Sequence, residues 1–388
     1  MKNRLWSLCA FGGVVLLASL ASTAVAHDND ERAPRYEVDA SWPKQLPNSW
    51  IVGQIGGLGM DKHDHIWVNQ RPLTLTDDEI GAAPNPPTRL TPRSICCKPA
   101  PSVMEFDREG NLLQAWGGPV DPGKCVAPAC IWPANEHGIY VDDDDNVWIG
   151  GNGGTDRMLL KFKKDGTFLM MIGGSFNGPA DSLSQTTLGK PAGIFVDTQR
   201  NEVYVADGYL NRRVIVFNAS TGAFLRLWGA YGNPPVDLPA GQPPNPDAGY
   251  FNNPVHCVVV SDDGIVYVCD RVNNRIQSFD RAGHFLKQFV YDPATLGNGS
   301  TWVARLSSDP GQKFLIYADG ENNVVRIADR QTGQVLRTFG HNGRNAGEFH
   351  WVHQMGIDSQ GIIYTGEVDT SKRLQKFVPR DRDHHDGR

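Results

Sequence analysis

Little in this 388-residue chain reads as helix. Apolar residues seldom recur at three- and four-residue intervals, and 42 glycines and 26 prolines break the chain throughout. Helix bundles and alternating α/β folds are poor fits to such a pattern. Positive charge is not in excess either. The net charge of −6 argues against nucleic acid as a partner, because phosphate binding needs surplus Lys and Arg. Past the first 26 residues, no apolar run is long enough to cross a bilayer. Paired C-x-x-C spacings are missing, so the cysteines offer no ordinary zinc pattern.

What is present begins with a secretory signal. Lys2 and Arg4 precede an apolar stretch from Leu5 to Val25, and Ala24-Val25-Ala26 forms an A-x-A cleavage site. An uncleaved anchor is the alternative. The expected plan is a signal peptide at 1–26, a single repeat domain at 27–378 and a charged, disordered tail at 379–388. Localisation is expected to be secreted or periplasmic, with no membrane association after cleavage. Six cysteines remain beyond the signal, an even number that suits disulfides in an exported chain. Cys257 and Cys269 flank the turn Asp262-Asp263-Gly264 and are expected to pair across a hairpin. Cys96, Cys97, Cys125 and Cys130 allow three pairings. A bond between the adjacent Cys96 and Cys97 is the least expected, on strain grounds.

The chain repeats. Ile139 to Phe162, Ile194 to Phe217 and Val258 to Phe279 each read as an apolar run, an acidic or glycine turn, a second apolar run and a third. Leu58 to Phe106, Leu315 to Ile327 and Ile357 to Phe377 carry the same pattern. Register positions fall at Gly56, His137, Ala192, His256, Val303 and His353. Short alternating strands in units of this length predict an all-β, six-bladed propeller. The last repeat stops one strand short, and Tyr36 to Ala40 reads as a strand without a blade. This N-terminal strand is expected to close the ring, leaving no exposed sheet edge. Two insertions, Pro72 to Pro101 and Tyr231 to Tyr250, are candidates for rim or lid elements.

His137, His256 and His353 occupy one register position on alternate repeats. In a six-membered ring, alternate members are related by a three-fold rotation, so three imidazoles converge on the axis. Three histidines leave the fourth position of a tetrahedral ion open to water or substrate, as catalytic zinc requires. Zinc suits neutral imidazoles with no thiolate nearby; copper, nickel and iron accept similar ligands.

The repeats ending "VYVADGYLNRRVIVF" and "VYVCDRVNNRIQSF" resemble NHL repeats. With the three histidines, Asp207-Gly208-Tyr209-x-Asn211-x-Arg213, Asp270-Arg271-x-x-Asn274-Arg275-Ile276 and Arg71, the stretch from Gly53 to Phe377 resembles the peptidyl-α-hydroxyglycine α-amidating lyases. That resemblance implies a zinc lyase that cleaves the C–N bond of a carbinolamide to an amide and glyoxylate. Zinc would sit on His137, His256 and His353, with Tyr209, Arg71 and Arg271 catalytic. A phenolate beside positive charge can serve as general base, and guanidinium groups pair with a substrate carboxylate. The implied substrate is a small molecule or peptide ending in an α-hydroxyglycine-like group, and a monomer is expected. The resemblance also implies a structural calcium on the backbone carbonyls of Leu58 and Ile139. Here Gln354 stands where the family has the calcium-binding carboxylate. Leu210 replaces a cysteine beside the tyrosine, and Trp351 a methionine. No segment resembles the copper hydroxylase domain often fused to the lyase, so the hydroxylated substrate is expected to come from elsewhere.

Each residue also has a plain reading. Tyr209 suits blade packing, Arg71 and Arg271 suit inter-blade salt bridges, and the recurring Asp207, Asp270 and Asp319 suit turn capping. Two other functions are open: a non-enzymatic binding propeller with a structural ion, and a metal-dependent propeller hydrolase, which would favour acidic ligands at the axis.

Overall fold

The computed structural model describes residues 33–85 and 89–380. The signal segment and the tail beyond Arg380 lie outside the described residues. Among those described, six four-stranded antiparallel sheets follow one another along the chain as propeller blades. Their first, innermost strands are Gln54–Met60, Glu136–Val141, Gly193–Asp197, Val255–Val260, Val303–Leu306 and Val352–Ile357.

Blade 3 shows why the sequence folds this way. Val203 to Ala206 is a buried run of β-branched, aromatic and small residues, and it pairs on one side with Gly193–Asp197 and on the other with Arg213–Asn218. Polar turns separate the strands. In blade 2, Asp142 accepts backbone N–H bonds from Asp144 and Asn146 and the indole N–H of Trp148 at 2.8–3.1 Å. The run of four aspartates is thus a turn that its first member caps. The core lies between blades: Trp67, Val103 and Trp116 of the first pack against Ile149, Leu160 and Phe162 of the second. Each such side chain stabilises the ring by about 1.5–3 kcal/mol relative to exposure.

Tyr36–Asp39 pairs antiparallel with Leu374–Pro379, Tyr36 opposite Pro379 and Asp39 opposite Lys376. It is the outer strand of the sixth blade, so the two ends of the ring lie in one sheet. The first insertion opens with a short 3-10 turn, Pro72–Thr74, and returns through Lys98–Pro99, parallel to Trp50–Ile51. The second is pinned to the ring. Arg212 donates to the carbonyls of Leu238 and Pro239, and Arg275 to those of Pro246 and Tyr250, at 2.8–3.2 Å.

Cys257 and Cys269 stand directly opposite each other in blade 4 and are bonded. Cys125 and Cys130 close a five-residue loop. Cys96 and Cys97 are then joined to each other, against the expectation from strain. With Cys125 bonded to Cys130 and Cys257 to Cys269, no thiol from another segment is left for the adjacent pair among the described residues.

Candidate metal centre

The three histidines are placed by a break in strand pairing. In blade 4, Val255 lies opposite Asp270 and Cys257 opposite Cys269, so His256 is an extra residue with no partner. In blade 6 the pairing likewise skips from Val352 to Gln354 around His353. In blade 2 it skips from Glu136 to Ile139 around His137. Blades 3 and 5 pair without a skip between their first two strands. A bulge re-aims the side chain of its extra residue, and here it sends each imidazole to the axis.

The ring centroids are 4.8–5.0 Å apart for all three pairs. The imidazoles are 0–2 % exposed, and one ring nitrogen from each lies within 4.8 Å of the others. Each Nδ1 faces a backbone carbonyl of the next blade: His137 that of Ala192 at 2.9 Å, His353 that of Ile55 at 3.0 Å, and His256 that of Trp302. A carbonyl only accepts, so the proton is on Nδ1 and each Nε2 carries a lone pair. Burial, then the charge of Arg71, holds His137 well below the ordinary histidine range. Burial and Arg271 do the same for His256; burial and the other two imidazoles do so for His353. Three neutral imidazoles, each oriented through its second nitrogen, fit a zinc-type ion with an open position.

Tyr209 lies against this cluster. Its hydroxyl is 3.0 Å from Nε2 of both His137 and His256. It follows Asp207 at the end of a blade-3 strand, and Arg271 follows Asp270 at the same place in blade 4. These aspartates are structural. Asp207 accepts from the Gly189 N–H, Asn211 and Arg213, and Asp270 from the Asn252 N–H, Asn273 and Arg275. Asp319 accepts both the backbone N–H and the side-chain amide of Asn322. Asp207 and Asp270 therefore hold the loops that present Tyr209 and Arg271.

The two site arginines differ from the structural ones. Arg213 and Arg275 are fully buried and ion-paired with Asp207 and Asp270. Arg271, also buried, makes no ion pair among the described residues. It donates long bonds of 3.4 Å to the Tyr209 hydroxyl and Asn298, its Nε lacks a partner, and its guanidinium lies 4.5 Å over the Trp302 ring. Arg71 donates from Nε to the Glu136 carbonyl at 2.7 Å and from Nη1 to Gln54 at 3.0 Å, again without an ion pair. Burial penalises the charge on both. Two desolvated cations beside the axis, neither ion-paired with a carboxylate among the described residues, suit an anionic ligand.

Sequence reading missed Trp302, which supports Arg271 with its ring and His256 with its carbonyl. Its only signal was its place just before the register residue Val303. Trp351, two residues before His353, has φ 55° and a ring 5.5 Å from Trp302. A bulky residue in that conformation is held there by its surroundings. Of the proposed calcium carbonyls, that of Leu58 accepts a hydrogen bond from Arg305 at 3.3 Å.

The buried imidazoles make stability pH-dependent. Their folded pKa values lie below the unfolded value near 6.5, so on acidification the unfolded chain takes up protons first. Stability is therefore full above about pH 6.5 and is lost as pH falls below it, by up to about 1.4 kcal/mol per pH unit for each imidazole. Asp319, which burial raises to about 6, works in the opposite direction. The imidazole share is read as the difference in Tm slope, between pH 7.5 and 5, of the metal-free protein and a metal-free His137→Gln/His353→Gln variant. Equal slopes would contradict the effect.

No family model matches the chain. It is similar to peptidyl-glycine alpha-amidating monooxygenase B of Xenopus laevis, 28% identical over 374 residues, covering 90% of this chain and 36% of that protein. The chain thus spans about a third of the length of this relative. It is also similar to the probable peptidyl-alpha-hydroxyglycine alpha-amidating lyase of Caenorhabditis elegans, 22% identical over 84% of this chain and 82% of that protein. NHL repeat-containing protein 3 of Mus musculus is 26% identical, over 89% and 85%. Among solved structures, a streptogramin B lyase superposes with a TM-score of 0.51 at 11% identity, covering 89% of this chain and 98% of that one, a likeness of fold. The homologues of this six-bladed propeller include the peptidyl-α-hydroxyglycine α-amidating lyases, together with NHL-repeat proteins.

Proposed function

We propose that the protein is an exported zinc-dependent lyase that cleaves the C–N bond of an α-hydroxyglycine-type carbinolamide, giving an amide and glyoxylate. The observation that carries this reading is the Tyr209 hydroxyl, 3.0 Å from Nε2 of His137 and of His256, with Nη1 of Arg271 3.4 Å from the same oxygen. Zinc held on the Nε2 atoms of His137, His256 and His353 would supply a Lewis acid for the substrate hydroxyl oxygen.

The protein's own groups do the rest. Arg271 and Arg71 receive the substrate carboxylate, since neither forms an ion pair with a carboxylate among the described residues. Tyr209, acting as the phenolate, takes the proton of the substrate hydroxyl. The O–H electron pair becomes the carbonyl of glyoxylate, and the C–N pair leaves on the amide nitrogen. That nitrogen then takes the proton back from Tyr209. Trp302 keeps Arg271 in place through the face of its ring. The three disulfides support export, because such bonds persist in oxidising compartments.

Incubation of the zinc-loaded protein with α-hydroxyhippurate is expected to release glyoxylate and benzamide in equal amounts, and removal of the metal to abolish the release. No glyoxylate from protein of confirmed zinc content would count against the reading. A second reading is a non-enzymatic propeller whose histidines hold a structural ion; the chain is also similar to an NHL repeat-containing protein, a name that carries no activity.

A further inference from the structure

The residues of the central channel do not fit the calcium ion that the resemblance implies. The inner strands of blades 1 and 2 lie together there: a Cβ on Gly59 would sit 3.2 Å from the Ile139 carbonyl. From the inner strand of blade 5, Arg305 reaches across to blade 1. Its Nη2 donates to the Leu58 carbonyl at 3.3 Å, and its Nη1 to the Ala304 carbonyl at 2.9 Å. The carbonyl that would face a divalent ion therefore already faces a cation, and two cations on one carbonyl repel. No carboxylate forms an ion pair with Arg305 among the described residues. Arg305 also borders a cavity of about 460 Å³ whose lining includes Tyr140, Phe195, Asp197 and Arg281, and none of the three histidines.

Gln354 fits the same picture through charge. A divalent ion with one carboxylate leaves the channel with a net charge of +1. A guanidinium with a neutral amide leaves the same. Calcium also needs six to eight oxygen ligands, which a carbonyl already engaged by an arginine does not help to supply.

We propose that Arg305 is the channel cation of this protein: its guanidinium takes the place of a divalent ion on the Leu58 carbonyl and makes the propeller calcium-independent. The inference rests on channel geometry and does not depend on the lyase reading.

Zinc-loaded protein is equilibrated with millimolar calcium chloride, dialysed into calcium-free buffer and assayed for calcium by mass spectrometry, with Tm measured in both buffers. Less than about one-tenth of a calcium per chain and a Tm unchanged within about 1 °C are expected, because a ligand that does not bind the folded state cannot stabilise it. Arg305→Met is expected to lower Tm by at least ~3 °C. Arg305→Met/Gln354→Asp is expected to gain a calcium-dependent rise in Tm that the native chain lacks. One tightly held calcium per native chain would overturn the proposal, as would an Arg305→Met variant as stable as the native chain. Should Arg305→Met fail to fold, the calcium content and Tm response of the native chain still decide.

Discussion

Replacing His256 by alanine is expected to strip the bound metal and lower turnover by at least ~10³-fold, since Lewis-acid stabilisation is worth several kcal/mol and each 1.36 kcal/mol is tenfold. The fold is expected to survive. His256 is the unpaired residue of a bulge, so the ladder bonds of Val255 and Cys257 on either side are untouched. The local cost is the Trp302 carbonyl, which loses its donor in a buried place, roughly 1–3 kcal/mol. Metal content and glyoxylate release, measured on the same preparation, check the result. A structural ion in a binding propeller gives a different outcome: Tm falls, and the native protein has no lyase turnover to lose.

The second large effect is expected from Tyr209→Phe, a fall in kcat of about 10²–10⁴-fold, the usual contribution of positioned acid–base catalysis. The ring stays where it is. It packs edge-on against His137 and His256 at centroid distances of 5.0 and 5.6 Å, and the Arg271 guanidinium lies 5.8 Å over it. Only the oxygen that carries the proton is removed. Zinc content is expected to be unchanged, and KM to move little, because the guanidinium groups that receive the carboxylate remain. A kcat within about threefold of the native value would remove Tyr209 from the chemistry and return it to blade packing, because acid–base groups contribute far more.

The blades were legible because their cause is local. Runs such as Val203 to Ala206, β-branched and aromatic, suit a buried strand, and Asp142 to Asp145 form a turn. The closing strand was legible from a deficit, one strand short in the sixth repeat and one spare at Tyr36. The convergence of His137, His256 and His353 followed from counting alone, since equal register on alternate members of a ring means proximity. The pairing of Cys257 with Cys269 followed from hairpin register. Cys96 and Cys97 did not, because their bond depends on where a long insertion leaves its neighbours.

By itself, then, the sequence determined the repeat, the number of blades and the histidines that share an axis. These depend on side-chain alternation and turn chemistry, which each segment carries within itself. Only the tertiary structure decided how each imidazole is aimed and protonated. Its bulge is a mismatch between two strands, and its Nδ1 partner is a carbonyl, a group that every residue has and no side chain announces. The same holds for Arg271, without an ion pair among the described residues where Arg275 has one, and for Arg305 on the Leu58 carbonyl. An arginine's role is set by which acceptors lie within reach, and those come from other blades.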